Sequence, residues 1–439
     1  LLEIKKRGIY MVKNKFILST LILLIGGFIT KILGMIIKII MTRMIGTKGI
    51  SLYMLIMPTF NLFIVLAQMG FPIAISKIVS EDKTENKKLI ISSMYLSIFI
   101  SIILMISIIF LDKTICKFLH NTDLYYPILA IGFTLPFISI SCIIRGYFFG
   151  KEKMWPHVIS NFTEQIVRII LYIIVLPMLK KYNVIISVSF IILSNIVSEL
   201  TSILILYFFL PKNIRITSKM LHPDAEIIKD VLNISIPNTG SRIIGTIGYF
   251  FEPIILTTML LFMGYSQKYI TYEYGIITGY VFPLLLLPSF FSMAISQATL
   301  PVVTKAYANK NIKYVKSKIK QSILFSFFIG LFFTIIYMIF PSDIMKFIYN
   351  TTEGVKYLKI ITPFFLFQYI QSPLVSIMQA MDKSKDAFKS TIIGTIIKIS
   401  LIIVLSLLNF GIYSLIVALI VNMIYVTVFN YIKIKKATN

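Results

Sequence analysis

A chain of 439 residues that is 57% hydrophobic and only 14% charged carries more apolar surface than a soluble domain can bury, and no segment is long and polar enough to fold as one. Its net charge of +25 is spread between apolar runs, which is a matter of membrane topology and gives no reason to assign a nucleic-acid partner. Apolar runs of roughly 20 residues recur from end to end, each able to cross ~30 Å of hydrocarbon. The strands of a membrane barrel would instead alternate over ~10 residues.

The expected fold class is therefore an all-α polytopic membrane protein. The first run starts near Phe16, behind Lys5, Lys6, Arg7, Lys13 and Lys15. A cleavable leader begins the same way, but this run is too long for one. No small-residue cleavage site follows it, and a second span comes directly after. It is read as a mature helix, with Met11 a candidate natural start. About twelve spans are predicted, at 16–42, 51–76, 89–111, 125–144, 157–179, 184–210, 231–261, 273–304, 321–341, 357–378, 390–408 and 411–432.

Basic residues alternate between the intervening segments. The loops 77–88, 145–153, 212–229, 305–320 and 383–389, together with both termini, hold 28 of the 43 Lys and Arg residues, and the opposite loops, with Lys359 at the start of the tenth span, hold 10. By the positive-inside rule both termini are expected to be cytoplasmic, in a multi-pass protein of the cell membrane. The halves also resemble each other. Phe71-Pro72 ends the second span and Leu300-Pro301 ends the eighth, an offset of 229 positions. "EQIVRIILYIIVLPML" around Arg168 matches "GTIIKISLIIVLSLL" around Lys398, an offset of 230. The expected domains are an N-terminal lobe, 1–215, and a C-terminal lobe, 216–439, of six helices each, facing each other across a central cavity.

Apart from Lys359 at the start of the tenth, five basic residues fall inside spans: Lys31, Lys38, Arg168, Arg242 and Lys398. Each costs about 2.5–3.5 kcal/mol at the centre of a helix unless it is paired or faces water. Glu164 and Arg168 are four apart, acid first, and can neutralise each other on one face. Lys31 and Lys38 are seven apart, hence on one stripe of the first span, which contains no acid. Arg242 and Glu252, ten apart, point differently. Lys398 has no acid in its own helix and occupies the repeat position of Arg168. Lys31, Lys38, Arg168 and Lys398 are expected to line the cavity with Glu164, Arg242 and Glu252, an inventory that favours an anionic ligand such as a pyrophosphate. Pro58, Pro72, Pro136, Pro237, Pro253, Pro283 and Pro288 fall within spans as candidate kinks. Cys116, read as a loop residue, and Cys142, inside a span, are not expected to pair. His120, His157 and His222 lack ligand spacing, so no metal or cofactor is expected.

Arg145-Gly146-Tyr147-Phe148, then Gly150, Met154, Pro156, Ser160, Glu164-Gln165 and Arg168, resemble the signature of the stage V sporulation protein B and polysaccharide-export branch of the multidrug/oligosaccharidyl-lipid/polysaccharide (MOP) flippase superfamily. Thr30-Lys31, Leu33-Gly34, Lys38, Arg43, Gly46, Gly49, Leu52-Tyr53, Pro58, Gly70, Pro72 and Ala74-Ile75-Ser76-Lys77 are similar to the same family. The resemblance implies two six-helix lobes and alternating access. It also implies movement of an undecaprenyl-linked saccharide, such as lipid II, across the cytoplasmic membrane, with Lys31 at a basic cavity position. The expected protein is a monomer without catalytic chemistry whose partners are the lipid-linked substrate and the phospholipid bilayer. The alternative is a multidrug or small-solute antiporter on the same fold, which should carry acids where Lys31 and Lys38 stand. A membrane-embedded transferase would need an acid pair or a His in a sizeable loop, and His120 and His222, in the longest loops, have no spacing that points to such a site.

Overall fold

The computed structural model describes residues 2–81, 85–211 and 223–438. The segment 212–222, with His222 and most of one predicted basic loop, and residues 82–84 lie outside the described residues. Helix α1 (Leu2–Gln68) covers the first predicted span and most of the second and is broken at Gly46, whose φ of 67° lies in the left-handed region. Gly70, at φ 64°, then turns the chain into α2 (Phe71–Glu81). Helices α3 (Asn86–Phe118), α4 (Tyr125–Gly150), α5 (Trp155–Lys180) and α6 (Val184–Phe209) follow. Next come α7 (Ala225–Phe262), α8 (Gln267–Ile276), a π-helical turn at Ile277–Val281, α9 (Phe282–Leu286) and α10 (Ser289–Ala308). The chain closes with α11 (Ile312–Ile339), α12 (Pro341–Tyr349), α13 (Val355–Ile361), α14 (Phe365–Ala380), α15 (Ser384–Leu407) and α16 (Tyr413–Thr438). The helix starts follow local chemistry: Asn183, Ser266 and Asn311 accept a backbone N–H from inside the first turn, and Pro156 stands at the start of α5.

Ten stretches among the described residues are long and apolar enough to cross a membrane. The first, Ile25–Glu81, has 57 residues, about 85 Å of helix, which is enough for two crossings either side of Gly46. A further crossing is α8–α9 plus α10, bent by 50° where Pro283 and Pro288 interrupt the helix. Counted with the first stretch as two, the described residues offer twelve crossings by length and composition, against about twelve predicted. The helices are longer than the apolar runs because helical backbone continues through the flanking polar residues: α11 starts at Ile312, not near 321, and takes in Lys313, Lys316, Lys318 and Lys320. Two placements are corrected. Cys116 lies in the last turn of α3, buried and free, because the helix continues through Asp112 and Lys113. Arg145 lies inside α4, because nothing in Arg145-Gly146-Tyr147-Phe148 stops a helix whose next turn is still packed.

The chain divides into two compact units. The first contains Ile56–Lys117 and Asn121–Ile247 with the chain up to Ile45, and the second contains Gly46–Leu55, Phe118–His120 and the chain from Gly248. Within the first, α4 packs on α2 and α6, and α6 on α5; within the second, α14 packs on α10 and α16, and α16 on α15. The same scheme is therefore used twice. The backbone repeats it in detail: the left-handed non-glycine residues His120 and Asn350, and Glu152 and Asp382, are each 230 positions apart. The cores correspond as well. One gathers Ala74 and Ile75, Leu89, Ile144 and Phe148, and Leu206; the other gathers Val303, Val315, Leu374 and Met378, and Ile434.

Candidate functional site

Four charges meet inside the first unit. Glu164 and Arg168 are one turn apart on α5, and the Arg168 guanidinium donates to Glu164 Oε1 at 2.9 Å and to Ser198 Oγ of α6 at 3.1 Å. Arg145, from α4, donates to the other oxygen, Glu164 Oε2, at 2.8 Å, to Glu199 Oε2 of α6 at 3.3 Å and to Ser202 Oγ at 2.9 Å. The carboxylate side chains are 9% exposed and the guanidinium side chains 17%. Two Arg and two Glu sum to zero, so the cluster avoids the cost of a lone intramembrane charge and ties three helices together. The predicted Glu164–Arg168 pair is therefore present, as half of a larger set. Same-helix spacing could not find Arg145 or Glu199, since their partners arrive from neighbouring helices. The available signal was an acid without a base inside span six and a base directly after the end of span four.

Lys398 of α15 makes a 2.5 Å ion pair with Glu252 of α7, both buried. Glu252 thus serves Lys398. Arg242 lies on an exposed part of α7 and donates to Gln68 Oε1 at 3.2 Å. On α1, Lys31 is exposed and Lys38 half-buried. Among the described residues, no carboxylate lies within ion-pair distance of Lys38.

The signature glycines have a packing role. A Cβ on Gly150 would stand 2.6 Å from Val79 Cβ and 2.7 Å from the Ser76 carbonyl oxygen, and one on Gly146 3.0 Å from Pro72 Cα. Spaced four apart, they let α4 lie directly against α2. Pro156 occupies the first turn of α5. The Gln165 side-chain oxygen is buried and accepts no hydrogen bond among the described residues. In the second unit Thr47, just after the α1 break, donates to Glu353 Oε2 at 2.5 Å and lies 3.1 Å from the Tyr280 hydroxyl. Burial raises the pKa of Tyr349, which ends α12 and packs edge-on against Tyr280.

Two six-helix lobes built on one scheme define the fold of the MOP superfamily. An inward-facing multidrug resistance MATE family transporter of that superfamily superposes with a TM-score of 0.74 at 15% identity, over 93% of this chain and 95% of that one. The sequence profile described as "Polysaccharide biosynthesis protein" matches residues 17–307, and the MatE profile matches 246–404. The chain is 32% identical over 438 residues to Stage V sporulation protein B of Bacillus subtilis (strain 168), covering 97% of this chain and 85% of that protein. It is 24% identical over 443 residues to the Lipid II flippase MurJ of the same organism, covering 88% and 77%. The chain belongs to the polysaccharide biosynthesis protein family.

Proposed function

We propose that this protein is an alternating-access flippase that carries an anionic, undecaprenyl-linked cell-envelope saccharide across the cytoplasmic membrane, with both termini cytoplasmic. The observation that carries the reading is the positive charge of the first span. Lys31 and Lys38 share one stripe of α1, residues 16–42 contain no acid, and no carboxylate reaches Lys38 among the described residues. The other intramembrane charges are largely spent on one another, as Arg145, Glu164, Arg168 and Glu199 in one lobe and Lys398 and Glu252 in the other. The basic stripe of α1 therefore meets the substrate pyrophosphate, with Arg242 of α7, hydrogen-bonded to Gln68 at the end of α1, adding charge, while the neutralised sets fix the helices that present it. Family membership and the likeness to a lipid II flippase support the same substrate class.

Ammonium groups suit this task because they hold phosphate as point charges and release it readily. The test is translocation of a lipid-linked saccharide by the protein reconstituted in vesicles. Lys31→Met is expected to abolish transport at unchanged protein level, and Lys31→Arg to retain it. Full activity in Lys31→Met overturns the reading. Rescue of a strain depleted of its lipid II flippase would identify that lipid as the cargo. The MatE match over 246–404 favours a second reading, a multidrug or small-solute antiporter. Export of cationic drugs that survives Lys31→Met would select it.

A further inference from the structure

Away from the charged sets, a cavity of about 430 Å³ lies in the second lobe between the start of α11 and the end of α16. Its cationic lining is Lys316 and Lys320, one turn apart on α11, and Lys435 from α16; its apolar lining, the floor, is Ile319, Ile323, Leu324, Tyr431 and Ile434. No carboxylate lines it. The apolar side does not end at the floor: Leu324, Phe325 and Phe328 continue along α11 and are 39%, 53% and 59% exposed. The charges thus stand at the helix ends and the apolar track runs into the span.

We propose that this groove docks an anionic phospholipid, with its headgroup phosphate among Lys316, Lys320 and Lys435 and its first acyl carbons along Ile323, Leu324 and Tyr431. Three observations select this occupant. The lining is cationic on one side and apolar on the other, as a lipid is anionic and apolar. The cavity is the size of a headgroup with a few carbons, within the ~300–1,000 Å³ of ordinary ligand pockets. The ends of α11 and α16 that form it are among the basic segments that the positive-inside rule assigns to the cytoplasmic leaflet, where anionic lipids concentrate. Tyr431, 47% exposed, has the amphipathic ring expected at that level. A free anion would leave the floor empty, so the acyl chain is part of the recognition. The site is separate from the transported cargo: it lies on α11 and α16, which contribute nothing to the charged sets.

The test uses the full-length protein in nanodiscs of phosphatidylcholine with a minor fraction of phosphatidylglycerol, extracted in mild detergent and weighed by native mass spectrometry. Wild type is expected to retain phosphatidylglycerol selectively. Lys316→Gln/Lys320→Gln/Lys435→Gln is expected to lose retention about tenfold or more. Lys77→Gln/Lys88→Gln/Lys153→Gln removes the same charge from exposed positions of the first lobe and is expected to retain the lipid. Leu324→Trp, which fills the floor and keeps every charge, is expected to lose retention too, and it carries the test if the triple variant fails to fold. Equal retention in groove and control variants overturns the proposal, as does unchanged retention in Leu324→Trp. Displacement of the lipid by soluble glycerol phosphate would assign the site to a free anion, and a dimer that the groove variants abolish would assign it to a second copy. Either result refutes lipid docking.

Discussion

Glu164→Ala is the most damaging single change expected in the first lobe. Its carboxylate receives Arg145 at 2.8 Å on one oxygen and Arg168 at 2.9 Å on the other. Without it, Arg168 keeps Ser198, and Arg145 keeps Ser202 and the longer 3.3 Å contact to Glu199. A neutral set of four becomes a set of three with one excess positive charge. Breaking a buried pair costs about 3–5 kcal/mol. Two contacts are lost, which argues for the upper end, and the 17% exposure of both guanidinium side chains admits some water, which argues against exceeding it. About 4 kcal/mol is expected. Arg168→Met removes one ion contact and the hydrogen bond to Ser198, leaves Glu164 held by Arg145, and should cost about 3 kcal/mol on the same scale. Glu164→Gln/Arg168→Met leaves Arg145 and Glu199 as a neutral pair and should be more stable than Arg168→Met alone, a non-additivity expected of groups in one network. The protein supplies its own reporters. Cys116 and Cys142 are free and buried, and Cys142 is one turn from Arg145. A thiol-reactive fluorophore therefore reads thermal unfolding without an added label. A Glu164→Ala midpoint equal to wild type, or a double variant no more stable than Arg168→Met, would show that these four residues do not share their charge.

Gly150→Leu is expected to destabilise by about 1–3 kcal/mol through overpacking against Val79 and Ser76, whereas Gly27→Ala, with nothing within 4 Å of its new Cβ, should be neutral or stabilising in the same melting assay. Lys398→Met should lower the melting point by stranding Glu252, and Lys398→Met/Glu252→Leu should recover it; failure to recover would break the pairing. Cysteines at Lys313 and at Thr352 should react with a membrane-impermeant thiol reagent from opposite sides; both positions are exposed, unlike Tyr349, which is buried. Labelling of both from one side would overturn the span count.

Span number and the duplication were legible because each is written in the chain: hydropathy sets the one and a fixed offset reports the other. The Glu164–Arg168 pair was legible because both residues sit on one helix, where spacing alone fixes the face. Arg145 was misplaced for a physical reason. A Gly beside an Arg at the end of an apolar run has the composition of a turn, yet here Gly146 and Gly150 serve close contact with α2, and the helix continues to the second glycine. Glu252 was visible as an intramembrane acid, and Glu199 falls inside the sixth predicted span. Their partners come from other helices, which no periodicity encodes.

The 230-residue offset preserves the backbone and one cation while moving its counter-ion. Arg168 corresponds to Lys398, and both are held by a carboxylate. One turn earlier, however, Glu164 corresponds to Gly394, where even a Cβ would stand 2.5 Å from Asn422 Oδ1 of α16. In the second lobe that helix face is given to close packing, so the acid has to come from elsewhere, and α7 supplies Glu252. The two solutions differ mechanically. Glu164 and Arg168 ride on the same turn, so their pairing survives any shift of a neighbouring helix. Lys398 depends on where α7 stands, and parting from Glu252 would strand two buried charges at once. The first lobe therefore keeps the Glu164–Arg168 half of its neutral set within a single helix, while the second holds its pair only while α7 and α15 stay in register, which makes the Lys398–Glu252 contact the stricter constraint on how that lobe can deform.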